Sequence, residues 1–144
     1  MAKEYKFLID GQWRQSSKKE DIKNPFNNET IASVYLAEER DIEDAVLSSQ
    51  RAFEITKKAP AYKRADILNN IVRGLEKRKE EFTKTITLEA GKPISDSRAE
   101  VSRAINTFQI ASEEAKRIEG EVIPLDLMQG SENRFGIVNR FPIG

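Results

Sequence analysis

Apolar residues recur at helical spacing in three stretches of the chain. In the first, Asp41 suits an N-cap, and Ile42, Ala45, Val46, Ser49 and Phe53 follow on one face. Glu43 and Asp44 stand in its first turn, where the helix dipole favours acids. Pro60 opens a second helix with the stripe Ala65, Leu68, Val72, Leu75, Phe82 and Ile86. The charged run Glu76 to Glu81 interrupts that stripe and reads as a solvated face. A third helix is predicted from about Pro93 to Arg117, with Val101, Ala104, Ile105, Phe108, Ala111 or Ser112, Ala115 and Ile118 inward. The pattern therefore predicts three long helices.

The second and third helices meet at a corner. Gly91 can take the left-handed backbone that closes a helix. Lys92 puts positive charge beside the last, unpaired carbonyls. Pro93 cannot continue the incoming helix but suits the start of the next one.

The flanks alternate in the manner of strands. Tyr5 to Ile9, the Asp10-Gly11 turn, and then Trp13 and Arg14 predict a β-hairpin. Ser16 to Asp21 is polar and reads as a loop. Ile22 to Phe26 enters a second turn with Asn27-Asn28 at its tip, and Ile31 to Ala37 reads as a short strand. After Gly120, Val122 to Leu125 is extended, Met128 to Asn133 is a turn, and Arg134 to Phe141 is a strand. Pro142-Ile143-Gly144 then follows with no cap and no polar tail, so the chain reads as cut.

Composition narrows the chemistry. The 144 residues carry 24 basic and 24 acidic side chains, so nothing in the charge argues for a nucleic acid partner. Charged residues make up 33% and hydrophobic ones 38%, which fits long exposed helix faces or a piece whose partner surface lies elsewhere. There is no cysteine and no histidine. That removes a disulfide framework, a thiolate metal site, a thiol nucleophile and the commonest general base. No stretch has signal-peptide or membrane-spanning length, so a soluble cytoplasmic protein without membrane contact is expected.

Five short motifs stand in a fixed order. They are Phe7-Leu-Ile-Asp-Gly-Gln-Trp13, Asn24-Pro25 before a strand, and Arg64-Ala-Asp-Ile-Leu68 early in the second helix. Leu88-Glu-Ala-Gly-Lys-Pro93 follows, then Gly136-Ile-Val-Asn-Arg-Phe-Pro-Ile-Gly144. In this order they resemble the N-terminal part of the NAD(P)-dependent aldehyde dehydrogenases. Glu100-Val-Ser-Arg103, Thr107-Phe108 and Ala111-Ser-Glu-Glu-Ala115 are most similar to one branch, that of the lactaldehyde, succinate-semialdehyde and non-phosphorylating glyceraldehyde-3-phosphate dehydrogenases.

The resemblance implies an α/β fold: a small β layer, three long helices and the start of an oligomerisation hairpin. That unit would be incomplete without a downstream doubly wound cofactor sheet. Residues 1–119 would form the N-terminal part of the NAD(P)-binding domain, 120–141 the oligomerisation strands, and 142–144 the start of the cofactor sheet. The implied reaction is oxidation of a small aldehyde through a cysteine thioester, with NAD or NADP as acceptor. No catalytic or cofactor-binding residue lies in this chain, and no glycine-rich phosphate loop is present, so the chain alone is expected to be inactive. The implied partners are a small aldehyde, the remainder of the enzyme chain, and further copies in a homodimer or homotetramer.

The resemblance also marks individual positions. Glu89 and the backbone carbonyl of Lys23 match a monovalent-cation site, the alternative being a helix-end carboxylate bonded to Lys92 or to backbone amides. Arg103 matches a substrate-mouth arginine whose guanidinium suits a phosphate or carboxylate. Its alternative is an intrahelical pair with Glu100. Asn106, Thr107 and Ile110 neighbour that face as tunnel residues or as packing. Against the enzyme reading stands a rival of another class, a non-catalytic helical interaction or assembly module.

Overall fold

The computed structural model describes residues 3–144. Five strands precede four helices, and two strands close the chain. The strands are β1 (Lys3–Tyr5), β2 (Phe7–Ile9), β3 (Gln12–Arg14), β4 (Lys19–Lys23) and β5 (Thr30–Tyr35). The helices are α1 (Glu39–Thr56), α2 (Ala61–Lys77), α3 (Lys79–Ala90) and α4 (Ile94–Glu114). They are followed by β6 (Glu121–Pro124) and β7 (Phe135–Val138).

The hairpin β2–β3 pairs Ile9 with Gln12, leaving Asp10 and Gly11 as a two-residue loop. Their φ angles are 52° and 72°. Positive φ at both central positions is the turn whose twist matches paired strands. The stretch from Tyr5 to Ile9 is not one strand: β1 pairs in parallel with β5, whereas β2 belongs to the hairpin. Ser16 to Asp21 is not wholly loop either, because Lys19 opens β4, which runs antiparallel to β5. Almost all of β4 is polar, so only its partner makes it a strand.

The expected second helix divides at Arg78, giving four helices in place of three. Arg78 has φ −112° and ψ 19°, outside the helical region. Its guanidinium grips Glu81 with two bonds of 2.8 and 2.7 Å and lies 4.9 Å from the Phe82 ring centroid. The first helix starts earlier than expected. Glu38 is its N-cap, and the Glu38 N–H donates to Asp41 Oδ2 at 3.0 Å, so Asp41 sits at the third position of a capping box.

α4 packs against α2 and α3. Where they meet, the buried side chains are small: Ala65 and Val72 on α2, Thr83 on α3, and Ser97, Val101 and Ser112 on α4. Small residues let helix backbones approach, and each buried hydroxyl finds a partner: Thr83 donates to Lys79 O, Ser112 to Gln109 O, and Ser97 Oγ accepts from Thr87 at 2.9 Å. α4 ends at Glu114, three residues short of expectation, so Ile118 falls outside the core at 59% exposed.

The hairpin β2–β3 lies on α1, where Arg14 donates to Asp44 at 2.6 Å and Arg51 to Asp10 at 3.1 Å. Arg64 ties the helix ends together, donating to Ala59 O at 2.5 Å and to Ala115 O at 3.4 Å. Among the described residues only Ile9, Ala65, Val72 and Val101 are buried apolar side chains. The apolar faces of the hairpins and of α1 stay open, with Ile42, Val46, Ile55, Phe135 and Ile137 all exposed.

Candidate functional site

The corner between α3 and α4 gathers most of the positions that carry chemistry. Gly91 closes α3 at φ 67°, and its N–H donates to Thr87 O at 3.0 Å. The Asn24-Pro25 turn sits against it. Phe26 N–H donates to Asn24 Oδ1 at 3.0 Å, and a Cβ on Gly91 would lie 3.4 Å from Pro25 Cβ. Below the turn, the inner face of the sheet and the end of α3 enclose a cleft of about 310 Å³, lined by Ile22, Ile31, Val34, Leu88 and Glu89 among others.

Glu89 is exposed on the last turn of α3. Among the described residues its carboxylate has no ion-pair partner. Lys23 ends β4, directly after Ile22 of the same cleft. Ile22 and Glu89 thus line the same cleft. Carboxylate and carbonyl oxygens are hard donors, the kind that a monovalent cation takes. Among the described residues no group of three or more His, Cys, Asp or Glu could hold a metal ion.

Lys92 does not turn back to Glu89. Its Nζ lies 2.6 Å from Glu100 Oε2, across the corner and in the second turn of α4. That bond, more than any other influence, holds the Glu100 carboxyl below its ordinary value, and Arg103 contributes less. Arg103 projects from the side of α4, exposed and off the buried Val101 stripe. The alternative, a pair between Glu100 and Arg103, is not formed, and Arg103 has no ion-pair partner among the described residues. Thr107 donates its hydroxyl to the Arg103 carbonyl at 2.9 Å, which commits it to the helix backbone. Asn106 and Ile110 are exposed on the same side, Ile110 at 52%. The tie between Lys92 and Glu100 is the relationship that sequence reasoning missed. Its only sequence signal is a Lys at the corner and a Glu eight residues on.

The hairpin β6–β7 pairs Val122 with Ile137 and Pro124 with Phe135, which puts these four residues on one face. Val122 is 71%, Phe135 64% and Ile137 66% exposed. A Cβ on Gly120 would collide with the Val138 carbonyl, so glycine is needed where the chain enters the hairpin. No helix among the described residues is long and apolar enough to cross a membrane.

The comparisons with known proteins fit this geometry. The chain matches the aldehyde dehydrogenase family over residues 13–144. The 3-sulfolactaldehyde dehydrogenase of Priestia aryabhattai is 36% identical over 143 residues, which is 99% of this chain and 30% of that protein. Aldehyde dehydrogenase 21 from Physcomitrella patens, solved with the reaction product succinate, superposes with a TM-score of 0.91 at 38% identity, covering 95% of this chain and 29% of that one. The NADP-dependent glyceraldehyde-3-phosphate dehydrogenase from Bacillus halodurans, solved with NADP, also gives 0.91, at 28% identity over 98% of this chain and 30% of that one. The chain spans about 30% of the length of the relatives it matches. With the family's sequence pattern over nearly all its residues and the same arrangement of strands and helices in two solved enzymes, this chain belongs to the aldehyde dehydrogenase family.

Proposed function

We propose that these residues are the N-terminal portion of an enzyme that oxidises a small, anionic aldehyde. Aldehyde, water and oxidised nicotinamide cofactor give the carboxylic acid, the reduced cofactor and a proton. NAD or NADP, when bound, accepts the hydride. The chain has no glycine-rich loop to cradle a pyrophosphate and no cysteine to attack a carbonyl, so both functions belong to sequence other than this. No step is therefore assigned to residues of this chain beyond binding the substrate's charged end.

The observation that carries the anionic substrate is the uncommitted guanidinium of Arg103. A planar fork of donors with no internal carboxylate is suited to a carboxylate, sulfonate or phosphate. Three of the relatives support this reading, whereas others are named for neutral lactaldehyde or cationic betaine aldehyde. Of the three, one is named for sulfolactaldehyde, one was solved with succinate and one is named for glyceraldehyde-3-phosphate, all of them anions.

Glu89 with the Lys23 carbonyl is proposed as a monovalent-cation site, supported by the cleft that Glu89 lines together with Ile22, the residue before Lys23, and by the hardness of oxygen donors. The hairpin β6–β7 is proposed to pair across subunits in a homodimer or homotetramer, supported by its open strand edges and apolar face. A cytoplasmic location belongs to the same proposal. The whole chain exposes 11531 Å². A compact monomer of this mass exposes about 7,500 Å². An excess of that size supports apolar faces that are covered by more polypeptide. It weighs against the rival reading of a self-contained interaction module.

The test is Arg103→Leu in the full-length enzyme. A lost charge-assisted contact costs about 1.5–3 kcal/mol, so KM for an anionic aldehyde should rise about tenfold or more relative to a neutral one. An unchanged ratio of the two KM values removes the anion role.

A further inference from the structure

We propose that Lys92 is a positioning residue for Arg103: by holding Glu100 across the helix corner, it keeps the guanidinium free for the substrate's anionic group. The inference rests on the reading of Arg103 as the anion contact. On a lone helix, a Glu three residues before an Arg is the natural partner of that Arg. Glu100 occupies that place and yet bonds Lys92, with Nζ to Oε2 at 2.6 Å.

The competition is decided by where Lys92 comes from. It lies outside α4, between the left-handed Gly91 and Pro93, whose φ of −55° suits the start of a helix. Both neighbours restrict the backbone from which the ammonium reaches Glu100. Glu100 is 40% and Lys92 47% exposed in their side chains, so neither is buried out of reach of a competing charge. Without the ammonium, the cation at pairing distance from Glu100 on its own helix is Arg103, because Arg98, two residues before Glu100, faces away and pairs with Glu80. A guanidinium already paired with Glu100 would have to release it before gripping a substrate oxygen.

The experiment is a kinetic cycle in the full-length enzyme. It compares KM for succinate semialdehyde with KM for propionaldehyde, and follows kcat and thermal stability alongside. Lys92→Gln should raise the succinate semialdehyde KM about twofold, the size of one helical ion pair, and leave propionaldehyde and kcat unchanged. Lys92→Gln combined with Glu100→Gln should restore the original KM, since no carboxylate remains to capture Arg103. Lys92→Gln should have no effect in an Arg103→Leu background.

A purely structural role would instead move both substrates and the melting temperature together, and would not be rescued by Glu100→Gln. Either result overturns the inference. If Arg103→Leu raises the anionic KM while Lys92→Gln does not, positioning by Lys92 fails and the anion reading survives. If Arg103→Leu itself leaves the KM ratio unchanged, both fall.

Discussion

Gly91 faces Pro25 across the corner that joins α3 to the β layer: a Cβ on Gly91, at φ 67°, would rest 3.4 Å from Pro25 Cβ. The space is adequate for a methyl group, so the need for glycine is conformational. A side chain in the left-handed region costs about 1–2 kcal/mol. Gly91→Ala should therefore lower the stability of the chain by that amount, read as a lower urea midpoint at unchanged slope. Gly91→Asn should lose less, because Asn tolerates this backbone. Equal stability of all three would show that the corner is not held in this conformation.

The hairpin β2–β3 should be fastened to α1 chiefly by one ion pair. Arg14 reaches Asp44 at 2.6 Å with side chains 35% and 38% exposed, whereas Arg51 reaches Asp10 at 3.1 Å with 63% and 59%. Water screens the second pair more. A double-mutant cycle with Arg14→Leu and Asp44→Asn should give a measurable stabilising coupling, and the same cycle at Arg51 and Asp10 a smaller one, close to zero. The reverse order would contradict the packing of the hairpin described above.

Core and rim of α4 should separate cleanly under truncation. Val101 is 3% exposed, against α2 and α3, and Val101→Ala removes two buried methyl equivalents at a cost of about 2 kcal/mol. Ile118 is 59% exposed beyond the helix end, and Ile118→Ala should change stability by less than about 0.5 kcal/mol. Urea unfolding of the two variants side by side is sufficient, and similar losses would place Ile118 in the core after all.

Much of this architecture was readable where backbone chemistry leaves few options. Asp10-Gly11 and Gly91 announce positive φ, and both adopt it. The stripe Ala65, Val72, Val101 appears as the buried seam. The break at Arg78 was hidden because no glycine or proline marks it. The bidentate grip on Glu81 that accompanies it is a side-chain geometry. Glu38 is an uncommon N-cap, and β4 has one apolar residue in five, so propensity alone assigns neither. Arg103 and Glu89 are proposed on family resemblance, which no local pattern of the chain supplies. What Arg103 is free to do depends on Glu100 choosing Lys92, and that choice follows from the direction of the corner.

Acid should weaken the fold in a defined window. The carboxyls of Glu4, Asp44, Glu80, Glu81 and Glu100 are held below their ordinary values, each chiefly by a hydrogen bond from a Lys or Arg. A carboxylate with a lowered folded value contributes stability above its unfolded value, and loses it as the pH falls through the folded one. The ordinary values are 4.5 for Glu and 3.8 for Asp. The melting temperature should thus be flat from neutral pH down to about 5, then fall as the pH drops further. All these groups are solvent-accessible, so added salt should shrink the decline. A melting temperature that rises on acidification would mean these ion pairs do not exist in solution.

The β6–β7 hairpin offers the most direct test of assembly. Val122, Phe135 and Ile137 form an exposed apolar face on a two-stranded ribbon whose outer edges pair with nothing among the described residues. A ribbon of this kind gains by adding a strand from another copy and by covering its face. The isolated chain should therefore sediment as a concentration-dependent mixture of monomer and larger species. Ile137→Lys places a charge in the middle of the face without removing a backbone bond, and should shift the mixture toward monomer. In the full-length enzyme the same substitution should lower the assembly state and leave KM at the Arg103 end unchanged, because β7 is the second strand after α4 and carries none of the site residues. A wild-type chain that stays monomeric at every concentration, or an Ile137→Lys chain that associates as strongly, would assign the hairpin to packing within one subunit.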